Sequence, residues 1–262
     1  MIYFVSFLVT LAACMLGPIC GMGGGIIIKP ILDATGVMSV STVTFLSGCT
    51  VISMSVWSMI KCFRHKESVI DLKNTTFLAI GAAGGGILGK MLFNYVASLF
   101  ADRDMAGGVQ ACLMFIATLG AMLYTINRSR IKSRHIDGII PSFVIGLGLG
   151  VFSSFLGIGG GPFNVVILYY FFDMPAKKAA QNSLYVIVFS QTASVLKSVM
   201  SGGVPAFNPV MLIGMVLCAI IATEIGRKIN KKIDNSQATK LLEGAMVLIM
   251  MINLYNIWKF FF

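Results

Sequence analysis

The stretch GMGGGIIIKPIL at 21–32 returns as GIGGGPFNVVIL at 157–168. One offset carries Gly21, Gly23, Gly24 and Gly25 onto Gly157, Gly159, Gly160 and Gly161, and Ile31 and Leu32 onto Ile167 and Leu168. Both clusters sit inside apolar runs long enough to enter a bilayer. Lipid supplies no partner for backbone N–H and C=O groups, so such runs fold as helices. Glycines allow backbone conformations and close approaches that other residues forbid, so these clusters are expected to break their helices. Breaks at corresponding positions of two halves point to a transporter's binding site. For either cluster alone, helix packing through small residues explains the glycines equally well; the repetition favours a site.

Composition places these runs. Hydrophobic residues make up 57% of the chain and charged residues 11%, with a mean hydropathy of +0.88. A soluble domain carries about 25% charged residues. The chain therefore reads as an all-α polytopic membrane protein, with room for about eight spans of about 20 apolar residues. The net charge of +10 comes from basic residues in short loops between apolar runs. That is the pattern of cytoplasmic loops facing anionic lipid, so lipid is an expected partner and nucleic acid is not. Cys14, Cys20, Cys49, Cys62, Cys112 and Cys218 lie in or beside apolar runs with no CxxC pair. They read as small apolar residues, not as disulfides or metal ligands. His65 and His135 lie in basic loops without ligand spacing. The start, MIYFVSFLVTLAACMLG, lacks a basic leader and runs straight into the first cluster, as a retained membrane segment would.

Eight apolar segments follow in order, at 2–36, 40–62, 75–100, 105–127, 138–172, 178–200, 207–229 and 238–260. Segments 1 and 5 carry the GxGGG interruptions. The polar stretch at 128–137 is the strongest boundary, dividing a first transmembrane repeat at 1–127 from a second at 138–262. On the same offset Phe7 matches Phe143, Ser47 matches Ser183, Ser58 matches Ser194 and Lys61 matches Lys197. One residue further, Gly89-Lys90 matches Gly226-Arg227.

Basic loops follow segments 2, 4 and 7, whereas the loop at 101–104 sets Arg103 against Asp102 and Asp104. Eight simple crossings would put the loop after segment 7 opposite the other two. If segments 1 and 5 each enter and return as a bent hairpin, all three basic loops become cytoplasmic. Both termini then lie outside, and the halves are inverted four-segment repeats. Against the hairpin, residues 2–20 alone make about 28 Å of helix, enough to span.

The paired GxGGG motifs, the four-segment halves, the stretch AAQNSLYVIVFSQ at 179–191 and the late Gly-Lys and Gly-Arg pairs resemble the sulfite exporter TauE/SafE family of membrane permeases. The resemblance covers nearly the whole chain and implies transport of small sulfur-containing or organic anions. The family's small polar patch after the motif stands as Gln181-Asn182-Ser183 in the second half. In the first it is Phe45-Leu46-Ser47, which has lost polar character, so an equal contribution of the halves is not expected.

A broken helix exposes N–H groups where its second half begins, here near Ile26 and Pro162, and the helix dipole adds to their pull on an anion. The candidate substrate-binding residues are the eight glycines with Ser47, Asn164, Asn182, Ser183 and Gln191. Asn182 and Gln191 serve interhelical hydrogen bonding equally well. Lys29, one turn past Gly25, is a further candidate, although snorkelling to the interface is the stronger expectation for it. Asp33 and Asp173 are expected at the mouths of the half-helices. Glu224 is the proton-coupling candidate, as an acid deep in an apolar run; its competing role, like that of Glu243, is an i,i+3 ion pair, with Arg227 and Lys240 respectively. No GxGxxG, GK[ST], HExxH or GxSxG pattern appears, so neither an enzyme nor a cofactor nor a metal is expected. The expected function is secondary transport of a small anion by alternating access. A passive anion channel and a non-transport assembly protein stay open as alternatives, and a homo-oligomer is compatible with each.

Overall fold

The computed structural model describes residues 2–65, 68–100 and 105–261. The expected opposition of Arg103 to Asp102 and Asp104 lies outside them. The described residues form ten α-helices and a 3-10 turn at Arg128–Arg130: α1 Ile2–Cys20, α2 Gly25–Thr35, α3 Val40–Arg64, α4 Leu72–Ser98, α5 Met105–Ile126, α6 Ile139–Leu156, α7 Pro162–Phe172, α8 Ala176–Met200, α9 Pro209–Lys232 and α10 Asn235–Phe261. Eight of these are long and apolar enough to cross a membrane; α2 and α7, of 11 residues each, are not. Each expected segment appears within a few residues of its expected bounds. Segments 1 and 5 each become a long helix, a glycine break and a short helix.

The contacts fix the directions. Phe7 and Met15 of α1 lie against Gly214 and Gly226 of α9, so α1 and α9 run the same way. Cys20, at the end of α1, meets Ala238 near the start of α10. Asn256 of α10 donates to the carbonyl of Pro30, and Lys259 to those of Asp33 and Ala34, so α2 runs with α10 and against α1. Gly24 packs against Cys14, so the chain has doubled back by the start of α2. The limbs are unequal: α1 is about 28 Å long and α2 about 16 Å. The bent hairpin and the full-length first helix thus coexist. Between the halves, Gly81, Gly85 and Gly89 of α4 press against the backbone of Phe143, Leu147 and Val151 of α6. A Cβ on any of the three glycines would meet a carbonyl oxygen at 2.1–2.2 Å, so only glycine permits this approach. Thr75 and Gly86 of α4 meet Asn182 and Ser190 of α8, so α4, α6 and α8 share one direction, opposite to α1, α3 and α9.

These directions collect the basic segments at one face. The 128–137 linker, the 173–175 turn and the 233–234 turn meet there. Arg134 and Ile136 donate backbone N–H groups to Tyr170 and Phe171, and Asn74 donates to Asp137. Asp173, expected at a helix mouth, caps the end of α7 with φ 49° and accepts from Ser133. Ile2 and Phe261 lie at the opposite face.

Candidate functional site

The two glycine breaks meet each other in the interior. The N–H of Gly23 donates to the carbonyl of Gly160 at 3.2 Å. A Cβ on Gly25 would stand 2.6 Å from the carbonyl oxygen of Ile158, and one on Gly161 would strike Ile26. The N-termini of α2 and α7 therefore face one another across the break, and the two short helices run away from it in opposite senses. Gly157, Gly159 and Gly160 hold φ of 68°, 74° and 91°, the left-handed region where only glycine sits without strain. In the first break only Gly21, at 71°, does so.

The serines beside the two breaks act reciprocally. Ser183 donates to the carbonyl of Gly21 at 2.6 Å, and Ser47, its counterpart, to the carbonyl of Gly157 at 3.3 Å. Each half thus fixes the first glycine of the other's break, and these hydroxyl protons are committed to the scaffold. Donors remain around the contact. Among the described residues, the N–H groups of Gly24, Gly159, Gly160 and Gly161 donate to no protein acceptor. Gln191 is buried beside Gly159, with its Nε2 unpartnered, and Thr44, beside Gly157, carries an unpartnered buried hydroxyl. The amide of Asn164 occupies the space beside Gly160, its Oδ1 unpartnered. Buried donors without partners cost free energy, and an acceptor from outside the chain would satisfy them. Thr44 was not distinguished by sequence, because nothing in its apolar setting marks it as facing the break.

Other candidates land elsewhere. Asn182 spends its whole side chain at the basic face: Oδ1 accepts from Asp71 N–H and Thr75 Oγ1, and Nδ2 donates to the carbonyls of Val69 and Lys178. Its neighbour Gln181 accepts from Val69 N–H. Lys29 does not snorkel. It is 1% exposed and pairs with Asp33 one turn along α2, Nζ to Oδ2 at 2.5 Å. Asp33 is 5% exposed near the end of α2 and lines a cavity there with Gly36, Met38 and Lys259; the ammonium beside it offsets the cost of burying its carboxylate. The Cε of Lys29 lies 3.2 Å from the point a Cβ on Gly157 would occupy, which puts the pair at the edge of the break. Glu224 does not pair with Arg227. It accepts from Trp57 Nε1 at 3.2 Å and lies 3.8 Å from Lys61 Nζ, 37% exposed, because its side chain leaves α9 toward α3. Glu243 and Lys240 likewise form no i,i+3 ion pair.

Broken helices meeting head to head inside a two-half membrane bundle define a membrane transporter fold. The family model described as sulfite exporter TauE/SafE matches residues 6–254, and the chain belongs to that family. It is 26% identical over 281 residues to the "Probable membrane transporter protein YunE" of Bacillus subtilis (strain 168), covering 95% of this chain and 96% of the relative. It is also 26% identical over 260 residues to the "Probable membrane transporter protein MJ0441" of Methanocaldococcus jannaschii, covering 91% of each. A "Probable membrane transporter protein" of Haemophilus influenzae is 28% identical over 175 residues, covering 63% of this chain and 61% of that one. No solved structure gives a significant match.

Proposed function

We propose that this membrane transporter carries a small anion of the sulfur oxyanion or organosulfonate class across the plasma membrane. The carrying observation is the meeting of the α2 and α7 N-termini, ringed by unpartnered donors. Helix N-termini favour anions through exposed N–H groups and the dipole, by on the order of 1 kcal/mol each. Neutral amide and hydroxyl donors suit a sulfonate or sulfite oxygen and add no full charge, so the cargo is held weakly enough to leave. The two halves act as inverted repeats, a reading supported by the opposite directions of α1 and α6. The face bearing Arg128, Arg130, Lys132 and Arg134 is cytoplasmic by its charge. Alternating access is favoured over an open channel because the packed contact of Gly23 with Gly160 closes the centre.

The test is flux into proteoliposomes holding only this protein, with sulfite, taurine-like sulfonates, sulfate and acetate offered in turn. Counterflow of sulfite or a sulfonate, saturating and faster than the other anions, is expected. Uptake of cations but of no anion overturns the cargo class; no flux of any solute by folded protein overturns transport.

A further inference from the structure

Two cavities on opposite faces are counterparts of each other. One, of about 310 Å³, opens at the basic face and is lined by Ser58, Gln181, Arg227 and Lys231 among others. The second, of about 420 Å³, lies toward the face of the chain termini and is lined by Phe45, Lys90, Asn94 and Ser198 among others. The offset that relates the glycine clusters carries Phe45 onto Gln181, and one residue more carries Lys90 onto Arg227 and Asn94 onto Lys231. Both cations follow a glycine locked against a neighbouring backbone, Gly89 on Val151 and Gly226 on Met15. The next residue of a helix projects a little over a quarter-turn away. Packing of the glycine therefore aims the cation into the cavity.

Lys90 and Arg227 are each 8% exposed. Arg227 donates to the carbonyl of Ser58 at 3.3 Å. Lys90 stands 5.2 Å from the ring centroid of Phe93, and among the described residues no carboxylate forms an ion pair with it. A buried ammonium in a membrane helix is costly unless a negative group shares its site. The cavity beside it provides room for one.

We propose that Lys90 forms an anion-capture site at the terminus-bearing face, where a small oxyanion binds before it reaches the glycine breaks. The inference rests on the anion-transport reading and adds an access subsite to it. A lysine that only snorkels would leave the reactivity and affinity of its cavity unchanged when neutralised.

Two measurements test this. The first uses Asn94→Cys, modified with anionic sulfonatoethyl or cationic trimethylammonioethyl methanethiosulfonate and read on the peptide carrying position 94. Adding Lys90→Met is expected to lower the preference for the anionic reagent about tenfold, with Lys90→Arg restoring it and the effect shrinking at high salt. The second is sulfite transport in oriented vesicles. Lys90→Met, or Lys90→Gln should the first fold poorly, is expected to raise KM about tenfold from the terminus-bearing face and to leave the opposite KM unchanged. A reagent preference indifferent to Lys90, or a KM raised equally from both faces, overturns the inference. If the preference responds to Lys90 while the wild-type protein moves no anion, the capture site stands and the transport reading falls.

Discussion

The first break and the second perform one task with different chemistry. The short helix α2 carries the buried Lys29–Asp33 pair; the corresponding positions of α7 are Val165 and Tyr169, both buried and uncharged. Around the second break the polarity comes instead from Asn164 and Gln191. The outer fastenings differ in the same way. Gln181 and Asn182 hold the 69–71 loop by hydrogen bonds, whereas Phe45, the counterpart of Gln181, packs at a tilt against Phe207 with centroids 5.3 Å apart. The scaffold demands only that these places be closed. Hydrogen bonding closes one and aromatic packing the other, so the polar residues of one half need not mark a substrate contact.

The largest effects should come from the glycines, and they should be unequal. At Gly160 φ is 91°, and a Cβ would meet Asn164 at 2.5 Å and Ile187 at 2.8 Å. Gly160→Val therefore adds backbone strain of about 1–3 kcal/mol to overpacking of about 1–3 kcal/mol. Gly24 has helical backbone angles, φ −52° and ψ −23°, and its nearest obstacle is Cys14 Sγ at 2.8 Å. Both variants are expected to lose transport, with Gly160→Val losing more thermal stability in detergent. Equal stability losses would mean that the two breaks are alike and that the left-handed angles carry no strain.

The next effect separates the charged helix from the apolar one. Lys29→Val leaves Asp33 buried without its ammonium, at an expected cost of about 3–5 kcal/mol. The double variant Lys29→Val with Asp33→Leu removes both charges and should recover most of that stability, since an apolar replacement of a buried pair is often neutral. If the recovered protein still transports sulfite at the wild-type rate, Lys29 acts on the scaffold alone. If it folds but has lost transport, the lysine acts on the anion.

Much of this architecture was legible in sequence. Hydropathy locates helices long enough to cross, and glycine clusters locate their breaks, because both depend on local chain chemistry. What escaped depends on which face of a helix meets which neighbour. Helix contacts in a bilayer come from shape and small residues, and lipid gives one apolar face no preference over another. So Asn182 and Gln191, in one apolar run, could not be told apart, although the first is spent on the 69–71 loop and the second faces the break. Lys90 and Arg227 were visible as a matched pair, but only the packing of Gly89 and Gly226 places them in cavities. The Lys29–Asp33 pair is the exception. Its i,i+4 spacing was readable, but snorkelling, which takes each long cation singly, hid the partner.

The smallest effect should fall at Glu224, and it bears on whether the halves also share the task of coupling. An acid that carries a coupling proton should lie where the cargo passes, or be linked to that place by hydrogen bonds. Glu224 lines neither of the two cavities and neighbours none of the break glycines. It stands 37% exposed between α9 and α3, 3.8 Å from Lys61 and bonded to Trp57. Its counterpart position in the first half is Ile87, an exposed apolar residue, so the symmetric place across the molecule has no acid at all. An exposed pair of this kind is worth on the order of 1 kcal/mol or less. Glu224→Gln is therefore expected to shift thermal stability slightly and to leave sulfite flux and its dependence on a proton gradient within about twofold of wild type. Proteoliposomes with an imposed pH difference read both quantities. A variant that still exchanges sulfite but no longer responds to the proton gradient would place coupling on α9, in the second half alone. The two halves would then divide the work, with coupling in one and the buried cation of α2 in the other.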